Sequence, residues 1–482
     1  MKSRNPIEAD FTGLNPRAAA KQSPVPALAS RRGAGTYKRS LSTILAAGAL
    51  LASLMLPASA QSLPDLPTIT NSSLTLKEAL RIAAVSSVTL KQSQADAGAA
   101  SASARSASAQ AKPSLSTTTY GTVGDSPNIL TTSPGVLPQN IFSVPPHGFA
   151  DQNLMLMVPV YTGGRLKYNA AAASQQEQAA QLSRAASGLT VTEAVTEGYV
   201  NALLQSALVT VAQTRATTED EQVRETAEKV AAGRLAPVDL LREQAEQADA
   251  RQALFAAQNN AQLALITLKT TLGISQMSQI APIDSLDAFT GMAALPSDLT
   301  AALHQADAHR PEIAAALRQA EAAASSVKAV QGAYAPQVYG VAMADAMTGA
   351  GAGRTGYTVG LTASLPLYDG GQRRAEVDLA RARLERAQAD ALQVRQNVDQ
   401  QVAAAWLTLE TVTAQVQAAD TGVTASQEAY ALASLRYSAG KSVAVERLDA
   451  LSALTRAQGA LAQSKAGLII ARAQLQAALG RR

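Results

Sequence analysis

The sequence predicts a mostly α-helical chain carrying a pair of membrane β-hairpins, built from one helix–hairpin–helix–helix unit used twice. Three observations carry that expectation. First, Val158-Pro159-Val160-Tyr161-Thr162-Gly163-Gly164 returns as Leu365-Pro366-Leu367-Tyr368-Asp369-Gly370-Gly371, and Pro159 to Gly273 aligns with Pro366 to Gly480 at a constant offset of 207. Upstream, an offset of 223 pairs Leu76 with Leu299, Leu80 with Leu303, Leu90 with Ile313 and Pro113 with Pro336. The offsets differ by 16 residues, so the first copy holds a longer loop between Pro113 and Pro159. Second, of 20 prolines none falls between Pro159 and Pro237 and none follows Pro366, which leaves room for two very long helices. Third, a short stretch of period-2 alternation precedes each of those runs, the pattern of a strand with two unlike faces.

Residues 1–60 read as a signal peptide with an extended N-region. Lys38 and Arg39 precede the apolar stretch Leu41 to Leu56, and Ala58-Ser59-Ala60 supplies a cleavage site. That stretch is shorter than the ~20 residues a membrane-spanning helix needs. Residues 61–73 form an extended leader. The first repeat, 74–273, opens with a helix over 74–112, where Leu76, Leu80, Ala83, Ala84 and Leu90 recur at helical spacing before an Ala/Ser tract. A hairpin follows over 113–161, with Leu115, Thr117, Thr119 and Gly121 alternating against Ser114, Ser116 and Thr118. Its loop, 125–150, holds five prolines and little periodicity. A long helix is predicted over 165–231 and a return helix over 238–272. At about 1.5 Å per residue the long helix measures on the order of 100 Å, about three times the ~30 Å hydrocarbon thickness of a bilayer.

A linker over 274–297 leads to the second repeat, 298–482: helix 298–333, hairpin 336–368, long helix 372–438 and return helix 445–479. In the second hairpin Tyr357, Val359, Leu361 and Ala363 alternate with Thr358, Gly360, Thr362 and Ser364. Its tip contains Gly351-x-Gly353-x-x-Gly356, but a phosphate loop leads from a strand into a helix and this one leads into a strand. From Val377 the apolar positions Ala380, Leu384, Ala387, Ala391, Val394 and Val398 alternate between spacings of three and four, a coiled-coil seam.

The formal charge of +4 does not indicate nucleic acid as a partner. Eight basic and two acidic residues lie in 1–60, so the remainder is near −2. The chain has no cysteine, and His147, His304 and His309 are scattered, so no metal, cofactor or acid–base constellation is expected and the chain does not read as an enzyme. Its eight methionines are dispersed along the sequence. Four strands cannot close a membrane barrel alone, since closed barrels need about eight, and long helices with a narrow apolar seam need neighbours along their length. Both features ask for a ring-shaped oligomer. A periplasmic coiled-coil adaptor, an interaction protein, is the alternative; such proteins have helical hairpins but no strand pairs placed symmetrically before them.

Over residues 74–480 the chain resembles the TolC-like outer membrane efflux proteins. The resemblance rests on Leu74-Thr-Leu-Lys-Glu-Ala-Leu80, Arg310-Pro311-Glu312-Ile313, the two Pro-x-Tyr-x-Gly-Gly corners, Tyr437-Ser-Ala-Gly440 and the two Leu-Gly endings. It implies a homotrimer whose twelve strands form one outer membrane barrel in contact with lipid and whose twelve helices form a periplasmic tunnel. Such a duct serves an inner membrane pump or ABC-type secretion transporter through a periplasmic adaptor (membrane fusion) protein. The resemblance places the closed end and the adaptor contact where the long helices turn back, near Gly233 and Gly440. Asp239 and Glu446 lie six residues after those glycines and Asp449 one turn beyond Glu446, so a threefold ring would bring each to the pore constriction. Tyr437 is the gate contact the resemblance implies. Ser442, where the best-known members have arginine, and Val238 depart from that pattern. The strand-to-helix corners are Pro159, Tyr161, Gly163 and Gly164, and Pro366, Tyr368, Gly370 and Gly371, with both tyrosines at the level of an interfacial aromatic belt.

Overall fold

The structure, a computed structural model, describes residues 65–69, 73–122, 149–291, 296–349 and 354–481. The signal peptide, most of the proline-rich loop and Gly351 and Gly353 of the glycine tip lie outside the described residues. In chain order the elements are β1 (Ser73–Leu74), α1 (Leu76–Ser86), α2 (Val88–Ala109), β2 (Ser114–Thr122), β3 (Phe149–Tyr161), α3 (Arg165–Ala231) and α4 (Pro237–Leu272). They continue with β4 (Ala281–Pro282), α5 (Leu299–His309), α6 (Pro311–Gln331), β5 (Gln337–Gly349), β6 (Arg354–Ser364), α7 (Gln372–Ser438) and α8 (Ala444–Ala478). No helix among the described residues is long and apolar enough to cross a membrane.

The helices expected over 74–112 and 298–333 are each divided in two. Ser87 (ψ 126°) and Arg310 (ψ 117°) are extended, and they occupy equivalent positions at the offset of 223. In the second repeat Pro311 forces the break, because the residue before a proline is driven out of the helical region. In both repeats the break receives the end of the return helix. Gly273 (φ 69°) and Gly480 (φ 75°) follow α4 and α8 in the left-handed conformation. A Cβ on Gly273 would stand 2.6 Å from the Ser86 carbonyl oxygen, and one on Gly480 would stand 2.7 Å from that of His309. The Leu-Gly endings are therefore close backbone contacts, with Leu272 and Leu479 fully buried beside them. Arg310 completes the second joint by donating from Nη1 to the Ala477 carbonyl at 2.9 Å while Nε pairs with Glu312 at 3.2 Å. Gly273→Ala and Gly480→Ala should each lower stability by about 2 kcal/mol or more, from left-handed strain plus the clash, read as a fall in the thermal midpoint.

The segment expected as a plain linker is packed. Ser275 and Gln279 donate backbone hydrogen bonds to Pro67 and Ile69, β1 pairs with β4 in parallel, and Ile274 and Ile280 are buried. Tyr199, fully buried on α3, closes this joint: its hydroxyl lies 2.7 Å from the Leu74 carbonyl and 2.8 Å from the Asp284 carboxylate.

Strands β2-β3-β5-β6 form one antiparallel sheet with β2 and β6 at its edges. The register puts Leu115, Leu154, Leu156, Val359 and Leu361 on one face and Ser116, Asn153, Met155, Met343 and Thr358 on the other. Along β3 the second face is half-buried and the first exposed. The register also gathers methionines that the sequence disperses, setting Met155 opposite Met343 with Met157 two pairs further on the same face. The second hairpin stops at Ser364, short of the predicted 368, so Leu365 to Tyr368 continue as exposed chain. In the helical layer α3 packs against α2, α4, α6 and α8, and α7 against α6 and α8. The two long helices both span 67 residues, yet α3 buries 17 of them and α7 only 6. That contrast makes α3 the centre of the layer and α7 an edge.

Candidate functional site

Two places combine duplicated motifs with unusual chemistry: the helix tips and the strand-to-helix corners. At the tips, Gly233 and Gly440 both have φ of 68° and open space around them. The amide of the next residue reaches back to Lys229 or Arg436 at 2.9 Å, which closes the two long helices in the same way. Asp239 and Glu446 then fall in the first turns of α4 and α8, where the helix dipole favours a carboxylate. Asp239 is half-exposed and Asp449 exposed, and neither makes an ion pair among the described residues. Glu446 does, with Arg436 at 2.7 Å.

Tyr437, the gate contact the resemblance implies, is buried within the single chain. Its hydroxyl has no partner among the described residues. Instead its ring lies 4.0 Å from the Arg447 guanidinium and 4.6 Å from the Lys229 ammonium. Val238 is exposed and the buried Ser442 hydroxyl makes no hydrogen bond, so neither supplies the missing partner.

Arg447 organises a cluster that the sequence reading did not single out. It is 3% exposed and pairs with the fully buried Glu243 at 2.8 Å and with Glu225 at 3.2 Å, joining the second repeat to both helices of the first. Burial pushes the Glu243 carboxyl up, against the pull of Arg447. Glu225, held by hydrogen bonding to Lys229 and by Arg447, is lowered. On α3, Ala216, Glu219, Gln222 and Thr226 form one buried stripe, and Gln222 donates to the Tyr430 hydroxyl at 3.2 Å. A signal existed in the spacing: Glu243 lies seven residues before the buried Ala250 and Arg447 four before the buried Leu451, both seam positions normally apolar.

At the first corner the ladder between β3 and β5 shifts between Pro159 and Tyr161, leaving Val160 as the bulged residue. Gly163 (φ 60°) and Gly164 (φ 82°) turn the chain into α3, and Gly370 (φ 64°) and Gly371 (φ 95°) turn it into α7. The backbone is the same but the surroundings are not. A Cβ on Gly163 would collide with the Gly332 carbonyl and Ala335, whereas nothing lies near Gly370 or Gly371. Arg165 donates to the Tyr339 hydroxyl at 3.1 Å, and Arg373 pairs with Asp369 while its guanidinium lies 5.0 Å from the Tyr334 ring. Tyr161 is about half exposed, and Tyr368 beside Pro366 is 89% exposed.

The chain thus combines a two-faced four-stranded sheet, unpaired at its edges among the described residues, with long helices that turn back at a polar tip. The chain belongs to the outer membrane efflux protein family, whose family model matches residues 79–274 and 302–481. The family is one of outer membrane channel proteins rather than enzymes. The chain is 28% identical over 267 residues to the outer membrane efflux protein BepC of Brucella suis biovar 1 (strain 1330), an alignment spanning 54% of this chain and 57% of the relative. Its fold is that of the CmeC outer membrane channel of Campylobacter jejuni, at a TM-score of 0.72 and 17% identity over 89% of this chain and 93% of that one. It is also similar to the MtrE outer membrane channel of Neisseria gonorrhoeae in its open state, with a TM-score of 0.68, 21% identity and coverage of 84% and 89%.

Proposed function

We propose that the protein is a homotrimeric outer membrane channel, the exit duct of a tripartite efflux pump or type I secretion system. One observation carries this reading: among the described residues a single chain leaves two unlike open edges, β2 with α2 and α4 on one side and β6 with α7 on the other. A head-to-tail contact between unlike edges closes into a ring. Three chains supply twelve strands for a barrel and twelve long helical segments for a tunnel. The internal repeat supplies a template for the joint. The first corner rests on the turn at Gly332 to Ala335, and the bare second corner at Gly370 and Gly371 would rest on the corresponding turn of the next copy, near Ala109 to Lys112. Leu115, Leu154, Leu156 and Leu361 on the exposed apolar face would meet outer membrane lipid, with Tyr161 and Tyr368 in the interfacial belt. The tips at Gly233 and Gly440 would dock a periplasmic adaptor, which connects the duct to an inner membrane pump or ABC-type transporter.

In this reading Asp239, Glu446 and Asp449 ring the pore constriction and favour cations. Glu446→Ala combined with Asp449→Ala should lower cation selectivity in planar bilayers, read as a reversal-potential shift toward zero in asymmetric salt. Asp449→Asn alone should account for more of that shift than Glu446→Gln, because Arg436 already balances the Glu446 charge. Unchanged reversal potentials in the double variant would remove both residues from the pore.

A further inference from the structure

We infer that Glu219 and Glu243 form a proton-binding site between the two repeats, whose occupancy sets how tightly the helix tips pack. Glu219 is 1% exposed, points away from water, and neither of its carboxylate oxygens has a hydrogen-bond partner within the described residues. Glu243 is fully buried and has one oxygen on Arg447 and one without a partner. Among the described residues, nine of the thirteen buried side-chain polar atoms that make no hydrogen bond belong to this end of the molecule: those of Arg215, Glu219, Gln222, Thr226, Glu243, Tyr437, Ser442 and Arg447. Buried polar groups are normally satisfied. Their concentration here marks packing that is weaker than the apolar core around Tyr199, Val195 and Leu268, further along the same helices.

The charges facing Glu219 come from every element packed on it. Its own helix contributes Arg215 and, nearer the tip, Glu225; α4 contributes Glu243 and Glu246; α8 contributes Arg447; α7 contributes the Tyr430 phenol. The cations are already engaged, Arg215 with Glu246 at 3.1 Å and Arg447 with Glu243 and Glu225. An ionised Glu219 would therefore be a buried charge beside Glu243 that Arg215 and Arg447 offset only in part, a costly arrangement. A proton on Glu219 removes it. Burial first, then the neighbouring Glu243, pushes the Glu219 carboxyl up to about 7.

The sign follows from linkage. A carboxyl whose value in the packed state lies above its ordinary 4.5 binds its proton more tightly when packed. Packing is thus favoured fully below about 4.5, and that advantage is lost as pH rises through about 7. Acidification tightens the tips and neutral to alkaline pH loosens them. The site is separate from Asp239 and Glu446, which are half-exposed, and from Asp449, which is exposed.

The test uses the full-length protein in detergent micelles or lipid vesicles. The chain has no cysteine, so Ala232→Cys at the exposed α3 cap takes a single nitroxide label per chain. Label mobility, followed by electron paramagnetic resonance from pH 5 to pH 9, should rise with a midpoint near 7. Glu219→Gln, a neutral isostere of the protonated acid, should hold the label in its low-pH state across the range. Glu446→Gln with Asp449→Asn should leave the midpoint within a few tenths of a pH unit. A Glu219→Gln protein that titrates like the parent overturns the inference, as does a parent with no transition. The readout is local packing, so it answers independently of whether the channel reading holds. Glu219→Leu, also uncharged, provides a second variant expected to abolish the transition.

Discussion

Arg447→Leu is expected to destabilise the tip packing by about 3–5 kcal/mol, the range for removing one partner from a buried ion pair. The loss is large because the change strands Glu243, which is fully buried and has Arg447 as its only ion-pair partner among the described residues. It also takes away the cation that lies 4.0 Å from the Tyr437 ring. Adding Glu243→Leu should recover most of the loss, since apolar side chains of similar volume often replace a buried pair without penalty. Thermal unfolding of the purified single and double variants checks this. A double variant as unstable as Arg447→Leu would mean that the arginine acts chiefly through Tyr437 and Glu225.

Tyr199→Ala should cost about 3–5 kcal/mol, the usual range for truncating a buried aromatic ring. Tyr199→Phe separates the hydroxyl from the ring and should cost about 1–3 kcal/mol, because the Leu74 carbonyl and Asp284 lose a buried donor. The equivalent Trp406→Ala should cost clearly less in an isolated chain, since Trp406 is only half-buried there. If the ring forms, Trp406 gains cover from a neighbouring copy and the two alanine variants should converge in the assembled protein. Melting curves of assembled and dissociated protein distinguish these cases.

Much of this architecture was legible in the residues. The 207-residue offset located both corners and both tips, and the proline-free runs gave the long helices because a proline inside them would break the backbone hydrogen-bond ladder. The breaks at Ser87 and Arg310 were less visible. Arg310-Pro311 signals one, but Ser87-Val88 carries no local breaker, and its bend depends on the tertiary contact with Gly273. The linker's packing was hidden for the same reason: its strand is two residues long and pairs with a leader about 200 residues away. Methionines dispersed along the chain met only through strand register, which period-2 alternation does not reveal. At the tips the glycines and first-turn carboxylates stood out as motifs. The Arg447–Glu243–Glu219 cluster did not, because side chains of opposite sign far apart in sequence look like solvated helix faces until packing buries them.

In the proposed duct the open edges of one chain close against other copies. The most direct measurement of that closure is the mass of the detergent-solubilised particle from the outer membrane fraction of cells expressing the chain with its own presequence. A homotrimer gives about three mature chains per particle, with no stable monomer at concentrations where the barrel is intact. A monomer or dimer recovered from the soluble periplasm would contradict it, and would leave β2 and β6 as edges that some other partner covers.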